Sequence, residues 1–198
     1  MEVIKREEVL SIEAYERQRD SFRSRIIELK RRRRITVGPL ITLIFENRET
    51  LQFQVQEMIR VERIHDPAKV QDELDVYNAL LPTPDELSAT LLIEITDEAM
   101  IKYWLDQFMG LDHGETVAIV AGGEKAFGQF EVGHSHETKI SAVHFVRFRP
   151  TASMKAAFAD LRQPVLLTVD HREYHAQATV PGSMREEWLA DLKGGVEP

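Results

Sequence analysis

The chain has 198 residues, 29% of them charged, and its 25 Lys and Arg against 33 Asp and Glu leave a net charge of -8. Zero cysteines exclude disulfides, thiol nucleophiles, thiolate-bound zinc and thiolate-held iron-sulfur clusters. A chain of this length buries roughly 70% of the surface that its unfolded form exposes, enough for a core without covalent staples.

The charge is unevenly placed: residues 1–34 hold 11 Lys/Arg against 7 Asp/Glu, and the remainder 14 against 26. A local basic excess suits phosphate or an acidic partner, while the acidic body repels a nucleic-acid backbone, so extended nucleic-acid binding is disfavoured. No apolar run approaches the roughly 18 residues that span a bilayer, and MEVIKREEVL lacks the apolar centre of a signal peptide. The expectation is a cytoplasmic protein without membrane contact.

Ser11 is a good N-cap for a first helix over residues 11–32, whose apolar stripe is Ile12, Tyr15, Phe22, Ile26 and Leu29. Arg19 lies on that stripe, so it either snorkels or meets a buried carboxylate. The run KRRRR (residues 30–34) occupies the last turn, where cations complement the negative end of the helix dipole. Five in succession exceed that need, which leaves open a solvated helix end or a docking patch of Arg31, Arg32 and Arg33.

Residues 35–37 and 40–45 read as a hairpin folded at Gly38-Pro39. Asn47 then caps a second helix over residues 48–65. Leu51, Val55, Met58 and Ile59 form one face, and Phe53, Val61 and Ile64 spread over the other, so the helix is apolar on too many sides for a surface position. Glu62 falls in line with Leu51, Val55 and Met58, Gln54 and His65 flank it, and Glu57 lies between Phe53 and Val61. A carboxylate buried there needs a partner. Two readings stay open: an internal ion pair such as Arg19 with Glu62, or a Glu/Gln/Arg-lined cleft for a ligand or metal. Asp66-Pro67 starts a third helix with Val70, Leu74, Tyr77 and Leu81 as its stripe, and residues 82–85 (PTPD) end it as a linker.

Beyond the linker the order strand, helix, strand, strand occurs twice. The first set is a strand over 87–95, a helix after Thr96 that stops at Gly110, and a hairpin of 116–121 with 125–132. The second is a strand over 139–149, a helix after Thr151 to residue 162, and strands at 165–169 and 174–180. Ser88-Ala89-Thr90 matches Ser141-Ala142-Val143 at an offset of 53, which also aligns Glu94 with Arg147. Side by side, that pair would contribute a few tenths to about 1 kcal/mol. A capping box from Ser183 to Glu186 begins the closing helix. The expected fold is α+β: N-terminal helices with a short hairpin (residues 1–82), packed on two tandem β-α-β-β units (87–132 and 139–180) of mainly antiparallel sheet, with a C-terminal helix and tail (181–198), all in one compact domain.

The chemistry-bearing residues are sparse. His134 and His136 form an HxH pair, His144 lies mid-strand, and His171 and His175 flank a turn. Two ligands at such spacings do not define a zinc site, which takes three protein ligands and a second shell. The metal candidates are accordingly thin: Glu57, Glu62 and His144. No GxSxG, Walker, GxGxxG or HExxH pattern is present, so neither an enzyme class nor a cofactor is assigned.

AYERQR (14–19), KRRRRITVGP (30–39), LIFENRET (43–50), QVQEMIRVERI (54–64), ELDVYN (73–78), ELSATLLIE (86–94) and SAVHFVRF (141–148) together resemble an uncharacterised bacterial family, domain of unknown function 3501. The resemblance spans nearly the whole chain. It implies no activity; it implies a genomic setting beside rubrerythrin-like and iron-sulfur oxidoreductase proteins. The family more often carries Gln where His144 stands, which moves weight to Gln54, Glu57, Glu62, Arg63, Tyr77 and Asn78. The leading expectation is an accessory protein that binds a redox partner through Arg31, Arg32, Arg33 and the polar face of the second helix. The alternative is a metal- or anion-dependent enzyme, or small-ligand binder, with a Glu/Gln/Arg-lined cleft between helices and sheet in which Glu57, Glu62 and His144 hold the metal or anion. Self-association stays open.

Overall fold

Strict alternation in ITLIFE turns Ile41, Leu43 and Phe45 to one side of a strand and Thr42, Ile44 and Glu46 to the other, so one sheet can serve two packed layers. The computed structural model describes residues 1–131 and 140–194. A 3-10 turn (Arg6–Glu8) leads into α1 (Ile12–Glu16), α2 (Arg19–Arg33), the hairpin β1 (Arg34–Val37) and β2 (Ile41–Glu46), then α3 (Arg48–Val61) and α4 (Pro67–Asn78). There follow β3 (Leu87–Ile93), α5 (Ile101–Phe108), β4 (Val117–Ala121), β5 (Glu124–Phe127), β6 (Gln129–Phe130) and β7 (Val143–Phe148). The chain closes with α6 (Ala152–Ala159), β8 (Val165–His171), β9 (Tyr174–Thr179) and α7 (Gly182–Leu192). Every strand pair is antiparallel, in one sheet of order β1-β2-β3-β7-β6 and a second of order β5-β4-β8-β9, an α+β fold as expected.

The larger core lies between the sheets. Ile41, Leu43 and Phe45 of β2, Leu87, Ala89 and Leu91 of β3, and Val146 and Phe148 of β7 face Val117, Ile119, Val165 and Leu167 of the second sheet. Trp188 of α7 closes this core against Phe45 and Phe158, with ring centroids 4.5 and 5.3 Å away. On the other side of the first sheet, a smaller cluster joins Leu51, Val55 and Ile59 of α3, Leu74 of α4, and Ile4, with Phe145 of β7 packed against it. Helices α3 and α4 therefore cover the polar-outward face of β2 and β3. No helix among the described residues is long and apolar enough to cross a membrane.

The structure departs from the sequence expectations at several places. The first helix is interrupted at Gln18 (φ -122°, ψ 3°), and the break sets Tyr15 and Arg19 on the same carboxylate of α3. The strand expected over 125–132 divides between the two sheets at Gly128, where an added Cβ would sit 2.5 Å from Val146 Cγ2. Helix α7 begins at Gly182 after Pro181, without a side-chain cap from Ser183. The triplets matched at an offset of 53 are not equivalent in place, because Ser88-Ala89-Thr90 lies inside β3 whereas Ser141-Ala142 precedes β7. Nor do Glu94 and Arg147 pair. Arg147 stands opposite Ser88 and binds Glu86 at 2.9 Å and Glu131 at 3.3 Å, while Glu94 follows β3 and holds Arg34 at 3.0 Å.

Candidate functional site

Helical geometry distributes the basic run around α2 and β1, and each of its arginines finds an acid. Arg31 binds Glu28 at 2.7 Å on the surface, Arg32 binds Glu187 at 2.9 Å, and Arg34 reaches both oxygens of Glu94 at 3.0 and 3.1 Å. Arg33 is 1% exposed and donates to both oxygens of Asp191 at 2.7 and 3.0 Å, and to Glu187 at 2.8 Å. Burial opposes its charge, and the two carboxylates overcome that and hold the guanidinium protonated. These pairs tie α2 to α7 beside a cleft of about 1120 Å³ lined by Leu29, Arg32, Arg33, Asn47, Glu187 and Asp191. Residues 31–34 are therefore each ion-paired, internally at Arg33 and on the surface at Arg31, Arg32 and Arg34.

The polar positions of α3 separate into two networks. Glu57 accepts Tyr15 Oη at 2.6 Å, Arg19 Nε at 2.8 Å and Nη2 at 2.9 Å, and Arg60 Nη2 at 3.2 Å. The Arg19 hydrogen bonds, helped by Tyr15 and Arg60 and opposed by burial, hold the Glu57 carboxyl down at about 2. Burial and the neighbouring Glu57 push the Tyr15 phenol up. The partner of Arg19 is thus Glu57 and not Glu62. Glu62 is exposed: α3 ends at Val61, one turn earlier than the pattern indicates, so Glu62 becomes the C-cap. Arg63 follows in the left-handed region (φ 53°), and Ile64 N–H bonds the Ile59 carbonyl at 2.9 Å, the hydrogen bond of a Schellman ending.

Gln54 marks the second network, whose centre is Glu46. This carboxylate is 2% exposed and accepts from Gln54 Nε2 at 3.0 Å, Thr90 Oγ1 at 2.7 Å and the Thr50 hydroxyl, all uncharged donors. Tyr77 lies close enough that Glu46, Glu62 and Glu73 reinforce what burial does first, pushing its phenol up. Burial also raises Glu73, and Glu62 raises it further. At this edge Val61 is 63% and Val76 59% exposed.

Asn78 does something else. Its amide accepts from Ile4 N–H at 2.8 Å and donates to the Ile4 carbonyl at 3.0 Å. Gln56 does the same for Leu10, at 3.0 Å in both directions. Both bonds hold the first ten residues on α3 and α4.

Among the described residues, the histidines do not assemble with Glu57 or Glu62. His144 lies on the core side of β7, across the sheet from α3, so Glu57, Glu62 and His144 do not converge. Its Nε2 is 2.8 Å from the Ser141 carbonyl, to which it donates, and its Nδ1 is 3.9 Å from Asp112. His171 Nε2 donates to the Met109 carbonyl at 3.0 Å, and His175 sits 2.5 Å from Asp170. His134 and His136 lie outside the described residues. No group of three or more His, Cys, Asp or Glu among the described residues is arranged to hold a metal ion.

Sequence reasoning missed Glu46, Gln56, Glu86, Glu187 and Asp191. Glu46 and Gln56 had a readable signal: Glu46 closes the alternation of β2 on the face that the next helix must cover, and Gln56 falls between Val55 and Ile59. The partners of Arg33 had none, because 158 positions separate it from Asp191.

Among known proteins, residues 3–192 match the family model described as protein of unknown function (DUF3501). A crystal structure at 1.90 Å resolution of a protein of unknown function from Burkholderia pseudomallei K96243 superposes with a TM-score of 0.87 at 30% identity. The match covers 96% of this chain and 100% of that one. No curated protein matches.

Proposed function

Starting from a chain that belongs to the DUF3501 family of proteins of unknown function, we propose an accessory protein that works by docking a basic, partly aliphatic partner surface on the acidic edge of α3 and α4. One observation carries this reading. Glu62 and Glu73 stand near each other with no described cation at ion-pair distance, beside the exposed side chains of Val61 and Val76. By contrast, Glu57, Glu86, Glu187 and Asp191 each hold an arginine. Lysines or arginines of a partner would relieve the like-charge repulsion at Glu73 while their aliphatic stems cover the valines.

The redox setting implied by the resemblance supplies the first partners to try, a rubrerythrin-like or iron-sulfur oxidoreductase protein. The test is a photo-crosslinking residue placed at Val76, with the comparably exposed Leu161 (64% against 59%) as the control position. The expected result is one partner crosslinked from position 76 and absent from position 161. It should be lost in the Glu62→Lys/Glu73→Lys variant and weakened by salt. Equal adducts at both positions, or adducts indifferent to charge reversal in a folded variant, overturn the reading.

A further inference from the structure

The first ten residues are held on the helical layer in the manner of a bound peptide. The backbone is extended at Lys5 (φ -94°, ψ 155°), Val9 (φ -85°, ψ 121°) and Ser11 (φ -58°, ψ 155°), with a single 3-10 turn at Arg6–Glu8 between. A primary amide carries both a donor and an acceptor, so one Asn or Gln side chain can satisfy the N–H and the C=O of one extended residue, as a neighbouring strand does. Asn78 does this for Ile4 and Gln56 for Leu10. Arg48 adds hydrogen bonds to the carbonyls of Glu2 at 3.1 Å and Val3 at 3.4 Å. The Asn78 and Gln56 contacts read main chain and ignore side-chain identity.

The side chains add one fully buried anchor, Ile4, with Met1 and Val9 packed partly on the same cluster and the Glu8 carboxylate held by Arg48 at 2.6 Å. Ile4 is 2% exposed and enters the cluster of Leu51, Val55, Leu74, Leu80 and Leu81, while its neighbours Val3 and Lys5 point outward. The seat is wider than its occupant. Clefts of about 170 and 520 Å³ adjoin the segment, one against Ile59, Ile64 and Val70, the other against Gln71, Asp75 and Asn78. Backbone clamps, an apolar socket for one buried side chain and unfilled flanking space are what a receptor for extended peptides needs.

We propose that α3 and α4 form a peptide-binding groove, that residues 1–10 are its intramolecular occupant, and that an extended segment of a partner protein with an aliphatic side chain at the Ile4 place takes the same seat when the strap lifts. The clamps and socket of this groove do not use Glu62 or Glu73, so it is tested separately from the acidic docking edge. The strap competes from within the chain at an effective concentration on the order of mM, which masks the groove until the strap is weakened or outcompeted.

The test uses full-length protein and a fluorescent synthetic peptide with the sequence of residues 1–10. The peptide should bind full-length Ile4→Asp protein at least about tenfold more tightly than wild type, since the variant's own strap no longer competes. Peptides with Leu or Val at position 4 should bind and one with Asp should not. A folded Ile4→Asp variant that binds no peptide, or binds the Asp peptide equally, overturns the proposal. Hydrogen exchange on the wild type decides independently of any variant: the amides of Ile4 and Leu10 should exchange well before those of Val55 and Ile59. Exchange of all four only through global unfolding would make the strap a fixed part of the core and refute the groove. A concentration-dependent wild-type dimer that the peptide dissolves would assign the seat to a second copy of this chain and overturn the partner segment as its occupant.

Discussion

Replacing Glu57 by Gln tests whether the Arg19 network is a structural joint between α1, α2 and α3. The wild-type carboxyl sits at about 2 against an ordinary 4.5, chiefly because of Arg19. At full burial that displacement would correspond to about 3 kcal/mol. The side chains of Glu57 and Arg19 are 21% and 25% exposed, so solvent screening brings the expectation to about 2 kcal/mol. A carboxyl lowered in the folded state contributes stability that is fully present above pH 4.5 and is lost as the pH falls toward 2. Glu86, also held at about 2, titrates in the same window, so the informative quantity is the difference between wild type and variant. Urea denaturation at several pH values should show Glu57→Gln less stable by about 2 kcal/mol at neutral pH, with the two proteins converging near pH 2. Parallel stability profiles, or a neutral-pH loss below about 0.5 kcal/mol, would refute the joint.

Two arginines of the basic run, one buried and one exposed, should differ sharply in the same assay. Arg33→Met leaves Asp191 buried without its cation and should cost about 3–5 kcal/mol, whereas Arg31→Ala, on the surface, should stay within about 0.5 kcal/mol. Gly128→Ala drives a methyl into Val146 at the crossing between sheets and should cost about 1–3 kcal/mol, read as a drop in the urea midpoint with an unchanged slope. Arg63→Gly removes a left-handed non-glycine residue after α3 and should raise stability by about 0.5–1 kcal/mol in thermal denaturation. A loss there would mean that the Arg63 side chain holds something its backbone position does not reveal.

Much of the fold was legible because hydrophobic period is a local property. The hairpin at Gly38-Pro39, the Asn47 and Asp66 caps and the order of strands after residue 86 all follow from residues within a few positions of each other. Where the reading failed, tertiary competition was the cause. The stripe on the second helix ran through Glu62, yet the helix stops at Val61 and releases Glu62 to solvent. The candidate residues fared likewise: Gln54 and Tyr77 neighbour Glu46, Glu57 holds Arg19 and Tyr15, and Asn78 holds the Ile4 backbone, so they do not form one site.

By itself, the amino-acid sequence determined which segments are amphipathic, which residues cap and turn them, and that polar groups on α3 would be drawn inward and require partners. Which partners they meet was decided only by the packed chain. An arginine's reach of several ångströms lets Arg19 choose between Glu57 and Glu62, and the break at Gln18 makes that choice. Likewise, the sum of charges in residues 30–34 reads as a basic patch until α7 places Glu187 and Asp191 against it. Charge count belongs to sequence, but compensation depends on distance, and distance across 158 positions exists only in the fold.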